Sequence, residues 1–204
     1  MLLYSGGSRH RRRFTGRNCN FHYCRVTDCS LWEKGESFAR MIFLVTGDIG
    51  AGKTHYMQSL YREIGGGNGF ICPKKIENGK LIRYNIQCLR DDESLPFAYP
   101  IDALPKDWNE LYRFGKYSFS TQAIQFAEKI IQKIINEKTE PFFIDEIGPL
   151  EIENHEGLFA ITKIIIESGL EGFITVRKEL LDKFIETFQT ETSKFIPVGI
   201  DNHN

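Results

Sequence analysis

The feature that most constrains this chain is an apolar run that feeds directly into a glycine-rich loop. Ile42-Phe43-Leu44-Val45-Thr46 reads as a strand, and Gly47-Asp48-Ile49-Gly50-Ala51-Gly52-Lys53-Thr54 follows it at once, fitting G-x-x-x-x-G-K-[ST] without exception. Beyond it, Tyr56, Met57, Leu60, Tyr61 and Ile64 recur at a spacing compatible with a helix. Strand, tight loop and helix in that order make a cradle for phosphate. Glycines let the backbone fold so that several N–H groups aim at one anion. The N-terminus of the helix adds its positive dipole end. The candidate nucleotide-binding residues are therefore Gly47, Asp48, Ile49, Gly50, Ala51, Gly52, Lys53 and Thr54. In this reading Lys53 reaches the β- and γ-phosphates and the Thr54 hydroxyl ligates Mg²⁺.

A second motif belongs to the same chemistry. Pro141-Phe142-Phe143-Ile144-Asp145-Glu146 is an apolar strand that ends in two carboxylates. Acids at the end of a buried strand are costly unless a cation or a function holds them there. In an open parallel sheet, ligands bind beyond those strand ends. Asp145 is thus a candidate Mg²⁺ ligand through water, and Glu146 a candidate to orient or deprotonate an attacking water. An exposed acidic pair at a strand-to-loop junction is the plainer alternative, and the phosphate cradle argues against it. A carboxylate beside the metal-binding Asp suits hydrolysis, because water is the only acceptor that must be handled. A kinase instead has to seat a hydroxyl compound beside the γ-phosphate.

The rest of the chain alternates between the two periodicities of a layered α/β fold. Continuous apolar strands occur at 42–46, 142–144, 173–176 and 195–198, the pattern of strands covered on both faces in a parallel sheet. Between them, 121–138 carries Ala123, Ala127, Ile130, Ile131, Ile134 and Ile135 on one helical face and Glu128, Lys129, Gln132 and Lys133 on the other. Further helices are expected at about 156–168, stopped by Gly169, and at about 178–189. Residues 69–89 read as a hairpin turning at Glu77-Asn78-Gly79-Lys80. That register sets Cys72 against Asn85 and Cys88 against Gly69, too far out of step for a disulfide. Residues 90–116 carry prolines, acids and aromatics and are expected to form a long loop.

Charge separates the N-terminal segment from this body. Residues 1–40 hold eight Lys/Arg against three Asp/Glu, leaving 18 of the 26 basic and 24 of the 27 acidic side chains for the remainder. An acidic body is a poor general partner for nucleic acid. Residues 1–40 lack strand or helix periodicity and are expected to be a disordered basic extension, with 41–204 forming the domain. Cys19, His22, Cys24 and Cys29 could ligate zinc, but their spacing lacks the tight C-x₂-C pair of common zinc sites, and reduced free thiols are the simpler expectation. No apolar run is long enough to span a membrane, and no secretory h-region precedes the basic cluster at Arg9–Arg13, so a cytoplasmic chain is expected. The sequence specifies no protein partner.

Asp145-Glu146-Ile147-Gly148-Pro149-Leu150-Glu151 is close to a D-E-I-G-[PK]-M-E-L segment, and with the cradle it resembles the thermophile-type nucleoside-triphosphatases, which hydrolyse ATP, GTP and other nucleoside triphosphates. Three further pieces agree: Gly69-Phe70 with a turn at Gly79, Gly115-Lys116-Tyr117, and Gly172-Phe173-Ile174-Thr175-Val176-Arg177. The resemblance covers about residues 42–190. It implies a three-layer P-loop NTPase fold, a mainly parallel sheet of order 5-1-4-3-2 with a β-hairpin insertion, and Mg²⁺ as cofactor. It also implies that Thr175 ends the strand between the cradle and acidic strands, near the γ-phosphate. Leu150 stands where Met is usual, Cys72 stands where Thr is common, and the Gly-Phe pair expected near Arg83-Tyr84 is missing.

For the cation that meets charge developing on the γ-phosphoryl group, Arg177 is the first candidate, followed by Lys116 and Arg113. A solvated surface charge is the alternative for each. His55 and His155 lie near the motifs without a clear role, and Tyr99, Trp108 and Tyr112 could cap a base. The function expected is Mg²⁺-dependent hydrolysis of a nucleoside triphosphate to the diphosphate and phosphate. The rivals are a nucleotide or small-molecule kinase and a slowly hydrolysing, nucleotide-gated switch.

Overall fold

Alternate residues of the central strands feed two separate cores, and this makes the fold three layers deep. The computed structural model describes residues 40–190 and 193–200. The expected extension, with Cys19, His22, Cys24 and Cys29, lies outside the described residues except for Arg40, which opens the first strand. In chain order the elements are β1 (Arg40–Gly47), α1 (Lys53–Ile64), β2 (Asn68–Ile71), β3 (Lys74–Glu77), β4 (Lys80–Cys88), β5 (Ser94–Pro100), β6 (Glu110–Phe114) and β7 (Tyr117–Ser120). There follow α2 (Thr121–Glu137), β8 (Phe142–Ile147), α3 (Pro149–Asn154), α4 (Phe159–Glu167), β9 (Gly172–Arg177), α5 (Leu181–Phe188) and β10 (Ser193–Gly199).

One sheet runs β10-β1-β9-β8-β2-β4-β5-β7-β6, with β3 paired to β4. The members from β10 to β2 are parallel, and counted in chain order they lie fifth, first, fourth, third, second. On one face Phe43, Phe143 and Phe173 stack side by side, with ring centres 5.1 and 5.3 Å apart, and Tyr61 of α1 meets Phe143 edge-on at 5.6 Å. The other face sends Ile42, Leu44, Ile144 and Ile174 into a core shared with α2 and α4. The apolar stripe predicted at 121–138 is α2, and its N-terminus is capped by Ser120, whose Oγ accepts from the Ala123 N–H at 3.3 Å. Pro197 is accommodated because β10 is an edge strand, paired only to β1.

Close approach explains Gly172. A Cβ there would lie 2.4 Å from both the carbonyl oxygen and the ring of Phe142, its partner across the β8–β9 pair. Only hydrogen fits.

Two expectations are corrected in the antiparallel half. Residues 90–116 are not one long loop, since β5 and β6 occupy 94–100 and 110–114. The prolines that suggested a loop are absorbed at the strand's weak points: Pro100 ends β5, and Pro96 sits opposite Asn85 where the β4–β5 register shifts. The hairpin turns where expected, with Glu77 opposite Lys80, but a bulge between Lys75 and Ile76 moves the pairing by one residue. Cys88 therefore faces Phe70 rather than Gly69. Cys72 and Cys88 remain buried free thiols.

Among the described residues, no helix is long and apolar enough to cross a membrane.

Candidate functional site

The cradle forms where β1 hands over to α1. Gly50 and Gly52 take φ of 85° and 90°, left-handed values that a side chain would oppose, and Gly52 caps α1 from that conformation. Lys53 folds back over the loop, its Nζ donating to the carbonyl oxygens of Gly47 and Asp48, both at 2.9 Å. Burial lowers the Lys53 pKa, while the charges of Glu146 and then Asp145 work against that shift. Arg177 and Glu179 follow with opposite signs. The structure thus brings the residues of both sequence motifs and Arg177 into one electrostatic neighbourhood.

The acidic pair sits in an irregularity of the sheet. In the β8–β9 pair Ile144 faces Ile174 and Ile147 faces Val176, so Asp145 and Glu146 together oppose the single residue Thr175. This is a bulge in a parallel pair, with Glu146 at a φ of 68°. A left-handed glutamate is strained, and such strain concentrates at working sites. The bulge also divides the two carboxylates. Asp145, 1% exposed, accepts from the Thr175 hydroxyl at 2.7 Å and from the Cys72 backbone N–H at 2.9 Å. The same Thr175 oxygen accepts from the Glu146 N–H at 2.8 Å, so one hydroxyl pins both acids. The Glu146 carboxylate itself makes no hydrogen bond or ion pair among the described residues. Burial and then the neighbouring Asp145 charge push its pKa up to about 7, against the opposing pull of Arg177 and Lys53.

Of the cationic candidates, Arg177 lies closest to this machinery. It ends β9 directly opposite Gly47, the first residue of the cradle. Its guanidinium has no hydrogen bond or ion pair among the described residues. Arg113 is instead paired with Glu110 at 2.7 Å, and Lys116 lies over the Tyr117 ring at 5.5 Å. His55 is exposed on the first turn of α1, and His155 stacks on Phe159 at 4.5 Å. The aromatics considered as a base cap are packed within the antiparallel extension. Tyr99 is buried against Trp108 at 4.8 Å, and Tyr112 leans on Phe119 at 5.8 Å.

Several residues of the site were not singled out from sequence. The Cys72 N–H reaches Asp145 because β2 lies next to β8, a tertiary fact with no local signature. Glu151 is 3% exposed, and its carboxylate accepts from the N–H groups of Gly148 at 3.0 Å and Leu158 at 3.1 Å. It clamps the turn that follows the acidic pair. Its signal was available: a glutamate three residues after the residue that caps a helix. Desolvation pushes the Glu151 pKa up to about 7 despite those hydrogen bonds.

The donors suit a hard divalent cation. Thr54 and Asp145 offer oxygen only, and among the described residues no group of three or more His, Cys, Asp or Glu forms a softer or fuller cage. Mg²⁺ characteristically takes one or two protein oxygens and completes its shell with phosphate and water. A buried carboxylate that has used only one acceptor position on each oxygen fits that demand.

A sequence model described as NTPase matches residues 42–204. The nucleoside-triphosphatase THEP1 of Thermotoga sp. (strain RQ2) is 27% identical over 157 residues, covering 76% of this chain and 84% of that protein. The protein of the same name from Saccharolobus solfataricus is 30% identical over 123 residues, covering 58% and 66%. In three dimensions the chain is similar to the crystal structure of THEP1 from Aquifex aeolicus, with a TM-score of 0.60 and 16% identity over 80% of this chain and 91% of that one. The solution structure of a human cancer-related nucleoside triphosphatase has a TM-score of 0.54 and 21% identity over 81% and 91%. At such identities the two structures speak to fold alone.

Proposed function

Since this chain belongs to the NTPase family and is a nucleoside-triphosphatase, we propose that it hydrolyses ATP, GTP and other nucleoside triphosphates to the diphosphate and phosphate, with Mg²⁺ as cofactor. The observation that carries this reading is the Asp145–Glu146 bulge. It leaves one carboxylate fixed by hydrogen bonds and the other, among the described residues, without a hydrogen-bond or ion-pair partner in the neighbourhood of Lys53 and Arg177. A fixed carboxylate suits a metal, and an unpartnered one suits a nucleophile.

In this reading the N–H groups from Asp48 to Thr54 and the Lys53 ammonium bind the phosphate chain. Lys53 exchanges its contacts with the carbonyls of Gly47 and Asp48 for phosphate oxygens. Thr54 and Asp145 would hold Mg²⁺, Asp145 through water, and the ion would supply neutralisation of phosphate charge. Glu146 orients a water in line with the γ-phosphorus and accepts its proton. Arg177 meets the charge that grows on the γ-phosphoryl group. Thr175 holds Asp145 and Glu146 in register.

The test is phosphate release from a panel of nucleoside triphosphates with and without Mg²⁺, on the wild type, Lys53→Ala and Glu146→Gln. The expected result is that Lys53→Ala loses nucleotide binding, whereas Glu146→Gln binds and does not turn over. The reverse pattern, or release that is indifferent to Mg²⁺, overturns the assignment.

A further inference from the structure

Two irregular strand pairs border one small, half-open cavity. On one side is the bulge of the β8–β9 pair that carries Glu146. On the other, Tyr84 opposes Ala98 and Asn85 opposes Pro96 in the β4–β5 pair, so Phe97 is an extra residue in β5. A bulge re-aims the side chains around it. Here the consecutive residues Phe97 and Ala98 both line the cavity, which a regular strand does not allow because successive side chains alternate faces. The cavity measures about 90 Å³, and Tyr84, Tyr117, Glu146, Glu151 and Arg177 supply its polar lining.

Polarity and volume together make this a place for water. One water's share of liquid volume is about 30 Å³, so the space admits about three. A bound water asks for about two to four polar partners. The lining offers phenol hydroxyls, carboxylates and a guanidinium, with aromatic rings between them. The Tyr84 and Tyr117 rings meet edge-on at 5.5 Å, which seats the two phenols as a pair. Burial, and then the Tyr117 hydroxyl, raise the Tyr84 pKa, so Tyr84 stays a donor at neutral pH. The Glu151 carboxylate already accepts from the Gly148 and Leu158 N–H groups. The Glu146 carboxylate has no hydrogen bond or ion pair among the described residues. A water between the tyrosines and Glu146 therefore finds donors on one side and an acceptor on the other.

We propose that Tyr84 and Tyr117 are positioning residues for hydrolysis, whose hydroxyls hold a water against the Glu146 carboxylate and so feed the attacking position. This role rests on the hydrolase reading, in which Glu146 orients the water and accepts its proton. The water oxygen bonds to the γ-phosphorus, and the bond from that phosphorus to the β–γ bridging oxygen breaks. The nucleoside diphosphate leaves with the electron pair, and the next water enters from the open side of the cavity. Because the tyrosines act through Glu146 and not on the nucleotide, they set kcat and leave KM alone.

The experiment measures kcat and KM for ATP with Mg²⁺ on the full chain, for the wild type, Tyr84→Phe and Tyr117→Phe. Each variant keeps its ring and loses only the hydroxyl. For Tyr84→Phe, kcat should fall about tenfold, the weight of one hydrogen bond to a charged group, with KM within about twofold. Tyr117→Phe should lose less, and the double variant should lose less than the product of the two, since the pair holds one water. The same substitutions are then made in Glu146→Gln and read as single-turnover phosphate release. There Tyr84→Phe should cost nothing further, because the group it acts through is gone. An unchanged kcat in Tyr84→Phe, or an equal loss in the Glu146→Gln background, overturns the role and leaves the hydrolase standing. A packing defect falls under the second outcome, since it lowers the residual rate as well. Wild-type turnover in Glu146→Gln itself overturns the two together.

Discussion

The two halves of this sheet solve different problems with different sequence patterns. The inner parallel strands β1, β9 and β8 are buried on both faces, so they are written as largely apolar runs, and at their C-terminal ends they gather Lys53, Asp145, Glu146, Thr175 and Arg177. The antiparallel strands from β3 to β7 are half-buried and mix polar, aromatic and proline residues. They bring no charged residue into the cradle's neighbourhood apart from the distant pull of Lys74 on Glu146. What they bring is an aromatic wall. Charge is placed by the rigid half, and shape by the adaptable half. Changes in the parallel half should therefore cost the most chemistry, and changes in the other half should cost a smaller share of the rate, or stability.

The largest effect should come from Glu146. Glu146→Gln preserves size and removes the proton acceptor, so turnover should fall by up to about 10⁴-fold while nucleotide affinity is kept. Phosphate-release rates set beside equilibrium nucleotide binding measure the split. A loss of binding as large as the loss of rate would mean that Glu146 acts on the ground state. Arg177→Ala comes next, with an expected fall of about 10³-fold if its charge appears only in the transition state. Here the conservative variant sharpens the comparison: Lys keeps the charge without the planar fork, and should recover part of the rate. Full activity in Arg177→Ala would return the role to the antiparallel half, where Lys116 and Arg113 sit.

A smaller effect is expected at Thr175, where stability and chemistry meet. Thr175→Val keeps the shape and removes the hydroxyl that donates to Asp145 and accepts from the Glu146 N–H. Two buried polar groups then lose a partner, which should cost about 1–3 kcal/mol for each group left unsatisfied. The strained φ at Glu146 would also lose its restraint, so turnover should fall along with the unfolding midpoint. A variant that unfolds at the wild-type denaturant concentration would show that the bulge is held by something else.

These expectations also mark how far the sequence was legible. The cradle, the acidic strand and α2 could be read because each is a local pattern with one physical meaning: glycines before Lys-Thr, acids ending an apolar run, an apolar stripe at helical spacing. The strands of 90–116 were hidden because Pro96 and Pro100 break the local signal, and because β5 is specified by its partners β4 and β7 rather than by its own residues. The hairpin register was missed by one residue because a bulge at Lys75–Ile76 leaves no local trace. The unequal surroundings of Asp145 and Glu146 were likewise out of reach, since they depend on Thr175, 30 and 29 residues away, and on Cys72, 73 residues away. Local chemistry was visible, and what adjoins it across the sheet was not.

The smallest predicted effect tests the seam between the halves, the buried Glu151 that clamps Gly148 and Leu158. Burial holds its carboxyl at about 7 in the folded chain, against an ordinary 4.5. Between those values the folded chain keeps a proton that the unfolded chain releases. Its contribution to stability is therefore fully present below about 4.5 and is lost as the pH rises through about 7. Glu151→Gln cannot titrate, so the variant should lose less stability than the wild type between pH 5 and pH 7.5, measured as the shift in urea midpoint at each pH. At pH 5 the variant should be the less stable of the two, because its amide presents a donor to one of the two backbone N–H groups that the carboxyl accepts. Equal slopes in the two proteins would assign the pH dependence to Glu146 and Glu171, whose pKa values burial also raises. The clamp would then be a matter of hydrogen bonds alone, and the turn after the acidic pair would keep its shape at any pH.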